Sequence, residues 1–386
     1  MIKVLFISGG FPNMLCGVGD YTFSLAQELA SLDVDVHVLT TKDTQVNTDP
    51  RLLCNVQLHP IVPTWSLSDI PVIRSLIQKI GPDIIHIQYP SSFGIANRKL
   101  LGNFLGYVAR SASQRKVHIL TTLHEFSERR LRWRVRAVFN ILSSDVVICV
   151  NRFDVDPVRR FRFSGQPVVY IPIASSIPYE QISAEYKKRV RNSIQLRDSD
   201  IILTYFGFIT PLKGFEVLLE AMQILKSKHL IVKLLLISDL FTSNDEYHKN
   251  IVSMIKVRDL QDNFLLGTSH YSKKEVSQYL QCANMAVLPF VEGSSDRRSS
   301  LLAVLNQGIP TITTFGPHTP PNFIDGKNMV LIPPNNPSAI AQAVEILVCD
   351  NKLSSCLSEG AVQLSRKYSF DKIAEKTLLV YQNALG

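Results

Sequence analysis

Two adjacent arginines, Arg297 and Arg298, stand just before an apolar helix in NMAVLPFVEGSSDRRSSLLAVLNQGIPTITT, residues 284–314. The pattern predicts a buried strand over 285–289, then a polar loop holding Glu292, Gly293, Ser294, Ser295 and Asp296. A helix follows from Ser299, with a stop at Gly308-Ile309-Pro310 and a second strand over 311–314. The amino end of a helix favours anions and repels cations. Paired arginines there make chemical sense if a diphosphate sits between them and the exposed backbone N–H groups. The alternative is that both are solvated surface charges, the usual fate of arginine. Strand–loop–helix units of a parallel sheet bind ligands at such loops, beyond the carboxyl end of the strand.

Three further features carry chemistry. Lys213, in PLKG, follows a strand and opens a helix, so its ammonium can reach a phosphate; alone, a Lys-Gly pair is equally a surface lysine. Gly17 and Gly19 flank Val18 after the first strand, where glycine lets backbone N–H groups approach a ligand or simply makes a turn. Their spacing is not the G-x-G-x-x-G of a dinucleotide site. His124 ends a strand in TTLHE, where a histidine is often a satisfied polar group.

These residues need strands to hold them. Residues 4–8 form a short apolar run ending in Gly9-Gly10, and a helix is expected over 20–31. Further strands are expected at 34–41, 83–90, 118–126, 145–150 and 168–172, with helical segments between. The small and polar stretch ASSIPYEQISAEYKK, 174–188, reads as a linker. The pattern restarts with strands at 201–207, 230–237 and 263–269 and a helix over 215–226. Strand–helix alternation in two successive halves signals an α/β chain with two doubly wound domains facing each other across a cleft. The expected boundaries are 1–173, a linker 174–200, and 201–367, with a final helix over 368–386 whose apolar stripe is Ile373, Leu378 and Tyr381.

Bulk properties set the class. A chain of 386 residues, 46% hydrophobic and 19% charged, can bury two globular cores. No run of 18 or more apolar residues predicts a spanning helix, and the start, MIKVLFISGG, lacks the features of a secretory signal. Six scattered cysteines, without a C-x-x-C pair, read as reduced and mostly buried thiols of a cytoplasmic protein. The net charge of +8 is concentrated: residues 98–162 hold 14 Lys/Arg against 5 Asp/Glu. The densest run, 129–136, carries Arg129, Arg130, Arg132, Arg134 and Arg136 around Trp133. A basic segment with an aromatic suits an anionic membrane surface, where each basic residue contributes about 1 kcal/mol. A solvated helix face is the alternative, and no motif for nucleic acid accompanies the charge.

Several motifs occur in order along nearly the whole chain: CGVGDYTFSLAQEL, DIIHIQ, TLHE, the YFGFITPLKGFEVLLEA run at 205–221, and the LPFVEGSSDRRSSLLAVLNQGIPTITT block. This set resembles glycosyltransferase family 4, the retaining nucleotide-sugar enzymes of the GT-B fold. The resemblance implies two Rossmann-like domains, the first on the acceptor side and the second holding the donor, with the last helix returning to the first. It implies Lys213 as a donor diphosphate ligand. Gly17 and Gly19 would approach the donor phosphates or the acceptor. Gly207, Gly293, Ser294 and Ser295 would line the sugar or nucleotide site. His124 would lie near the transferred sugar, donating a hydrogen bond to a hydroxyl or orienting the ring, while His86 leans to a structural role. Glu292 looks like the first acid of the family's Glu-x7-Glu pair, which would hold sugar hydroxyls as part of the catalytic set.

Two departures matter. The family's arginine after the glycine corresponding to Gly207 is Phe208 here, and Arg297 or Arg298 is expected to supply the missing charge. The second acid is absent: Ser300 stands eight residues after Glu292, and Ala303 is reached by counting back from Gly308. This matches a subset of the family with a Gly-x-Ser-x-Arg-Arg-type loop, met here by Gly293, Ser295, Arg297 and Arg298.

Breaking a sugar–diphosphate bond leaves negative charge on the departing phosphate, which fixed cations and N–H donors stabilise. The expectation is therefore a retaining, metal-independent transferase of polysaccharide or glycoconjugate biosynthesis without a resident cofactor. Its partners would be a nucleotide-sugar, a sugar, polysaccharide or lipid-linked acceptor, and the inner face of a membrane, with no nucleic acid. A non-catalytic GT-B scaffold subunit and a nucleotide-sugar epimerase are the alternatives. A two-domain oxidoreductase ranks last for want of the dinucleotide spacing.

Overall fold

The computed structural model describes residues 1–11, 16–42, 55–90, 101–113, 116–127, 131–163, 165–175, 177–194, 196–197, 199–238, 240, 245–266 and 271–386, except the side chains of Arg132 and Leu266. The chain divides into two compact units, Met1–Ala174 with Ser369–Gly386, and Ser175–Tyr368.

The first unit is a parallel sheet. Its described strands are β1 (Lys3–Ile7), β2 (Asp35–Thr41), β3 (Val56–Val62), β4 (Ile84–Tyr89), β5 (His118–Leu123), β6 (Val146–Cys149) and β7 (Val168–Tyr170), in the order β3-β2-β1-β4-β5-β6-β7. Alternation along β1 sends Leu5 and Ile7 into one core and Val4 and Phe6 into the other. Both faces are thus buried, which is why these strands read as continuous apolar runs. Leu76, Val108 and Ile141, from helices Ile70–Ile80, Leu105–Ala112 and Leu131–Ser143, fill the first core. Leu25, Leu29, Ile373 and Tyr381, from Gly17–Ser31 and Phe370–Leu385, fill the second. The chain order reverses between β1 and β4, so their carboxyl ends flank a switch point.

The second unit repeats the plan with β8 (Ile201–Phe206), β9 (Val232–Ile237), β10 (Phe264–Leu266), β11 (Met285–Leu288), β12 (Thr311–Thr314) and β13 (Val330–Ile332). Their order is β10-β9-β8-β11-β12-β13, all parallel, with the switch point between β8 and β11. The two doubly wound sheets have the α/β organisation expected from the alternating pattern.

Four differences from the sequence reading have physical causes. The first helix starts at Gly17, not near Asp20, so both glycines lie in its first turn. Strand β3 escaped notice because it is a half-exposed edge strand containing Pro60, and an edge tolerates proline. The segment expected as a linker contains a helix, Ala184–Ser193, capped by the Ser183 hydroxyl. Tyr186 donates to Gln278 Oε1 (2.9 Å) and Arg191 to the Cys282 carbonyl (2.9 Å), so polar composition there marks an outer helix and not missing structure. Of the cysteines, Cys149 and Cys282 are buried, but Cys349 and Cys356 are exposed on the outer sides of their helices. Cys54 lies outside the described residues, as do Arg129, Arg130 and part of the expected 263–269 strand. No described helix is long and apolar enough to cross a membrane.

Candidate functional site

In the second unit the chemistry-bearing residues gather at the switch point. Strand β8 ends at Phe206, and Gly207 follows with φ 123°, a backbone conformation that favours glycine. The chain then makes a short turn, Pro211–Lys213, before the helix Phe215–Ser227. Gly214 joins them at φ 66°; a Cβ there would lie 2.1 Å from the Pro289 carbonyl oxygen. That close approach, with the Val291 N–H donating to the Leu212 carbonyl (3.2 Å), seats the Lys213 turn on the loop after β11.

The loop after β11 is pinned by its own backbone. Gly293 packs against Gly316, where a Cβ would meet backbone at 2.6 Å. The Ser294 N–H donates to the Thr314 carbonyl (2.7 Å), and Thr319 Oγ1 donates to the Ser294 carbonyl (3.1 Å). Ser294, Ser295 and Asp296 are buried as a result. Gly207 and Ser300 come close, since a Cβ on Gly207 would lie 3.2 Å from Ser300 Cβ. The hydroxyls of Ser295 and Ser300 are buried without a protein hydrogen-bond partner, which normally costs about 1–3 kcal/mol unless a water or a ligand group completes them.

Phe290 organises the cations. Its ring is buried, with Lys213 Nζ 4.9 Å and Arg298 Cζ 4.9 Å from its centroid. Burial first, and then the nearby charges of Arg298 and Arg297, push the Lys213 pKa down to about 8. Three cations therefore converge at the start of helix Ser299–Asn306. Glu292 is about half exposed and faces Arg298 at 3.6 Å. An anion entering here would favour the Lys213 ammonium and reach two buried hydroxyls and a helix amino end.

In the first unit a second group lies at the ends of β4 and β5. The Gly17, Val18 and Gly19 N–H groups form the first turn of helix Gly17–Ser31. Gly17 has open space around it, but a Cβ on Gly19 would press to 2.8 Å on the Gly10–Phe11 backbone. His124 follows β5, edge-on to Tyr21 at 5.0 Å, with Nε2 2.8 Å from Gln88 Oε1. An amide oxygen only accepts, so Nε2 carries the proton and Nδ1 is left as an acceptor. Desolvation holds the His124 pKa well below the usual imidazole value, so the ring is neutral at pH 7. The donor nitrogen expected to serve a sugar hydroxyl is thus engaged by Gln88.

His86 is fully buried. It bonds Tyr381 Oη through Nδ1 (2.6 Å) and Thr122 Oγ1 through Nε2 (2.7 Å). Burial, with His124 beside it, lowers its pKa to about 3. It links β4, β5 and the last helix, which is a structural role.

The structure thus groups Lys213, Gly207, Gly293, Ser294, Ser295, Arg297 and Arg298 in one unit and Gly17, Gly19 and His124 in the other. Sequence reasoning missed Phe290, Gly214, Ser300 as an orphaned hydroxyl, and Gln88. The first reads as a core aromatic, and the others gain meaning only from their neighbours. The LPF ending of a buried strand immediately before a charged loop was the available signal for Phe290.

Comparison with known proteins follows the same division. Residues 16–174 match the sequence model of Glycosyltransferase Family 4, and residues 200–350 that of Glycosyl transferases group 1. A curated relative, an uncharacterised glycosyltransferase of Methanocaldococcus jannaschii, is 22% identical over 99% of this chain and 98% of its own. Among solved structures, a glycosyltransferase from Rickettsia africae aligns over 100% of this chain and 98% of its own at 16% identity and a TM-score of 0.78. Anabaena HepE in complex with UDP-glucose aligns over 99% and 100% at 14% identity and a TM-score of 0.75.

Proposed function

Since this chain belongs to the glycosyltransferases of family 4 and has the GT-B fold, we propose that it moves a sugar from a nucleoside-diphosphate donor to an acceptor hydroxyl with retention of configuration. One observation carries the donor assignment: Lys213 and Arg298 converge on the buried Phe290 ring at the switch point of the second sheet. The diphosphate binds there, with Arg297 adding charge and the Ser295 and Ser300 hydroxyls turned to phosphate or ribose oxygens. As the sugar–phosphate bond breaks, the cations stabilise the departing diphosphate, which is the work a metal ion performs elsewhere. The acceptor oxygen attacks on the face the phosphate leaves, and the phosphate takes its proton. Gly293 and Glu292 receive sugar hydroxyls. Neutral His124 orients a hydroxyl by accepting its hydrogen bond at Nδ1, and the N–H groups at Gly17 and Gly19 approach the donor phosphates or the acceptor. With Ser300 or Ala303 where the family's second acid would be, the nucleotide subsite is a variant of the usual one.

The proposed acceptor is a sugar, a polysaccharide or a lipid-linked saccharide in a biosynthetic pathway, and the proposed workplace is the cytoplasmic side of a membrane. Support for that location is the concentration of basic residues over 98–162. The donor is tested by thermal shift with UDP-, GDP-, ADP- and TDP-sugars. Ligand at about 100 times its dissociation constant stabilises the folded state by about 2.7 kcal/mol. A shift with one nucleotide, lost in Lys213→Ala, is expected. No shift with any of them would favour a non-catalytic scaffold.

A further inference from the structure

The helix Leu131–Ser143 has two apolar faces: one is buried in the core, and the other, although Phe139 packs on Phe104 (ring centroids 4.6 Å), stays largely exposed among the described residues. Its inner face buries Ala137, Asn140 and Ile141. Its outer face presents Leu131, Val135 and Phe139, at 75%, 53% and 36% exposure, spaced four residues apart along one side. Half-buried Val138 and Leu142 lie on that same side by helical spacing. A surface helix in a water-soluble protein ordinarily turns charged groups outward. A contiguous apolar stripe left in water marks an interaction site.

What flanks the stripe identifies the partner. Arg134 and Arg136 precede and follow Val135 and therefore sit about 100° to either side of it. Each is held in place: Arg134 donates to the Ser127 carbonyl, and the Arg136 guanidinium lies 4.6 Å over the Trp133 ring. Arg162 donates to the Ser144 and Asp145 carbonyls (2.7 Å each), tying the turn that carries Phe161 and Phe163, 42% and 68% exposed, to the end of this helix. An apolar ridge between arginines, with aromatics beside it, matches the boundary between anionic headgroups and acyl chains. A second copy of the chain fits poorly, because its own 98–162 region would bring 14 Lys/Arg against the same excess.

We propose that the outer face of helix Leu131–Ser143 docks on an anionic lipid bilayer, with Leu131, Val135 and Phe139 inserted at headgroup depth and Arg134 and Arg136 on the phosphates. This deepens the membrane-side location proposed above, naming the surface and its lipid chemistry. The test is sedimentation of the full chain with vesicles of phosphatidylcholine alone, or of phosphatidylcholine and phosphatidylglycerol in equal parts. The chain should sediment with the anionic vesicles, be released by high salt, and stay in solution with the neutral ones. The double variant L131D/V135D should bind about tenfold more weakly or worse, with an unchanged melting temperature, since both residues are exposed. If it does not fold, Leu131→Ser alone should still lose binding severalfold.

Three results would overturn the proposal: wild-type chain left in the supernatant, variants that bind as the wild type does, or a stable dimer that L131D/V135D disperses without any vesicle binding. Vesicle binding needs no donor. A chain that binds a nucleotide-sugar and ignores vesicles would therefore defeat this proposal while leaving the donor site intact.

Discussion

Lys213 is a base whose pKa is already lowered in the anion-free protein, to about 8, by burial and by Arg298 and Arg297. A diphosphate beside it favours the ammonium and raises that pKa again. Below about pH 8 the ammonium is present both free and bound, so affinity is flat with pH. Above it, binding has to take up a proton, and affinity falls by up to about tenfold per pH unit until the pKa of the bound state is reached. Calorimetric titration with a nucleoside diphosphate between about pH 7 and pH 10 would show the decline, and Lys213→Arg, with a higher intrinsic pKa, would remove it. A flat wild-type profile would mean that Lys213 does not touch the anion. His124, fixed by Gln88, stays neutral over the same range, so its proposed role is hydrogen bonding and not charge.

Elements matter here through where their backbones touch. Gly17 and Gly19 sit in one turn of helix Gly17–Ser31, yet a Cβ meets open space at the first and the Gly10–Phe11 backbone at 2.8 Å at the second. Backbone cannot rotate aside as a side chain can. Gly19→Ala is therefore expected to cost about 1–3 kcal/mol in urea unfolding. Gly17→Ala should be neutral or stabilise by about 0.5–1 kcal/mol, because alanine is the better helix former. Equal effects of the two substitutions would count against this packing. Gly214 works in the same way on the turn that presents Lys213, where the Pro289 carbonyl fills the space a Cβ would take.

At the scale of the whole molecule, each sheet supplies its own switch point, and the first sheet is completed from the far end of the chain. Helix Phe370–Leu385 brings Ile373, Ala374, Val380 and Tyr381 into the core that Gly17–Ser31 also fills. Tyr381 reaches fully buried His86 at 2.6 Å, so the carboxyl terminus is wired to the centre of the first sheet. Tyr381→Phe leaves the fully buried His86 Nδ1 without its hydrogen-bond partner. The expected loss is about 1–3 kcal/mol, read as a lower melting temperature of the first unit. A melting temperature equal to that of the wild type would make the contact incidental.

Much of this was legible in the residues. Apolar runs buried on both faces, as in β1 and β4, announce a parallel sheet through composition alone, and glycine after a strand announces a turn toward a ligand. Arg297, Arg298 and Lys213 could be suspected because cations at helix starts oppose the helix dipole and need a reason. The edge strand β3 could not be read, since half-burial around Pro60 erases periodicity. Nor could the first turn at Gly17, where glycine is locally a poor helix former and packing against Gly10 decides. Chain order alone determined the two sheets and the loops that carry the charges. Only the tertiary structure decided that Lys213 and Arg298 share the Phe290 ring, that Ser300 is an orphaned hydroxyl, and that Gln88 holds His124. Those are distances between residues far apart in sequence, and a distance exists only once the intervening strands have packed.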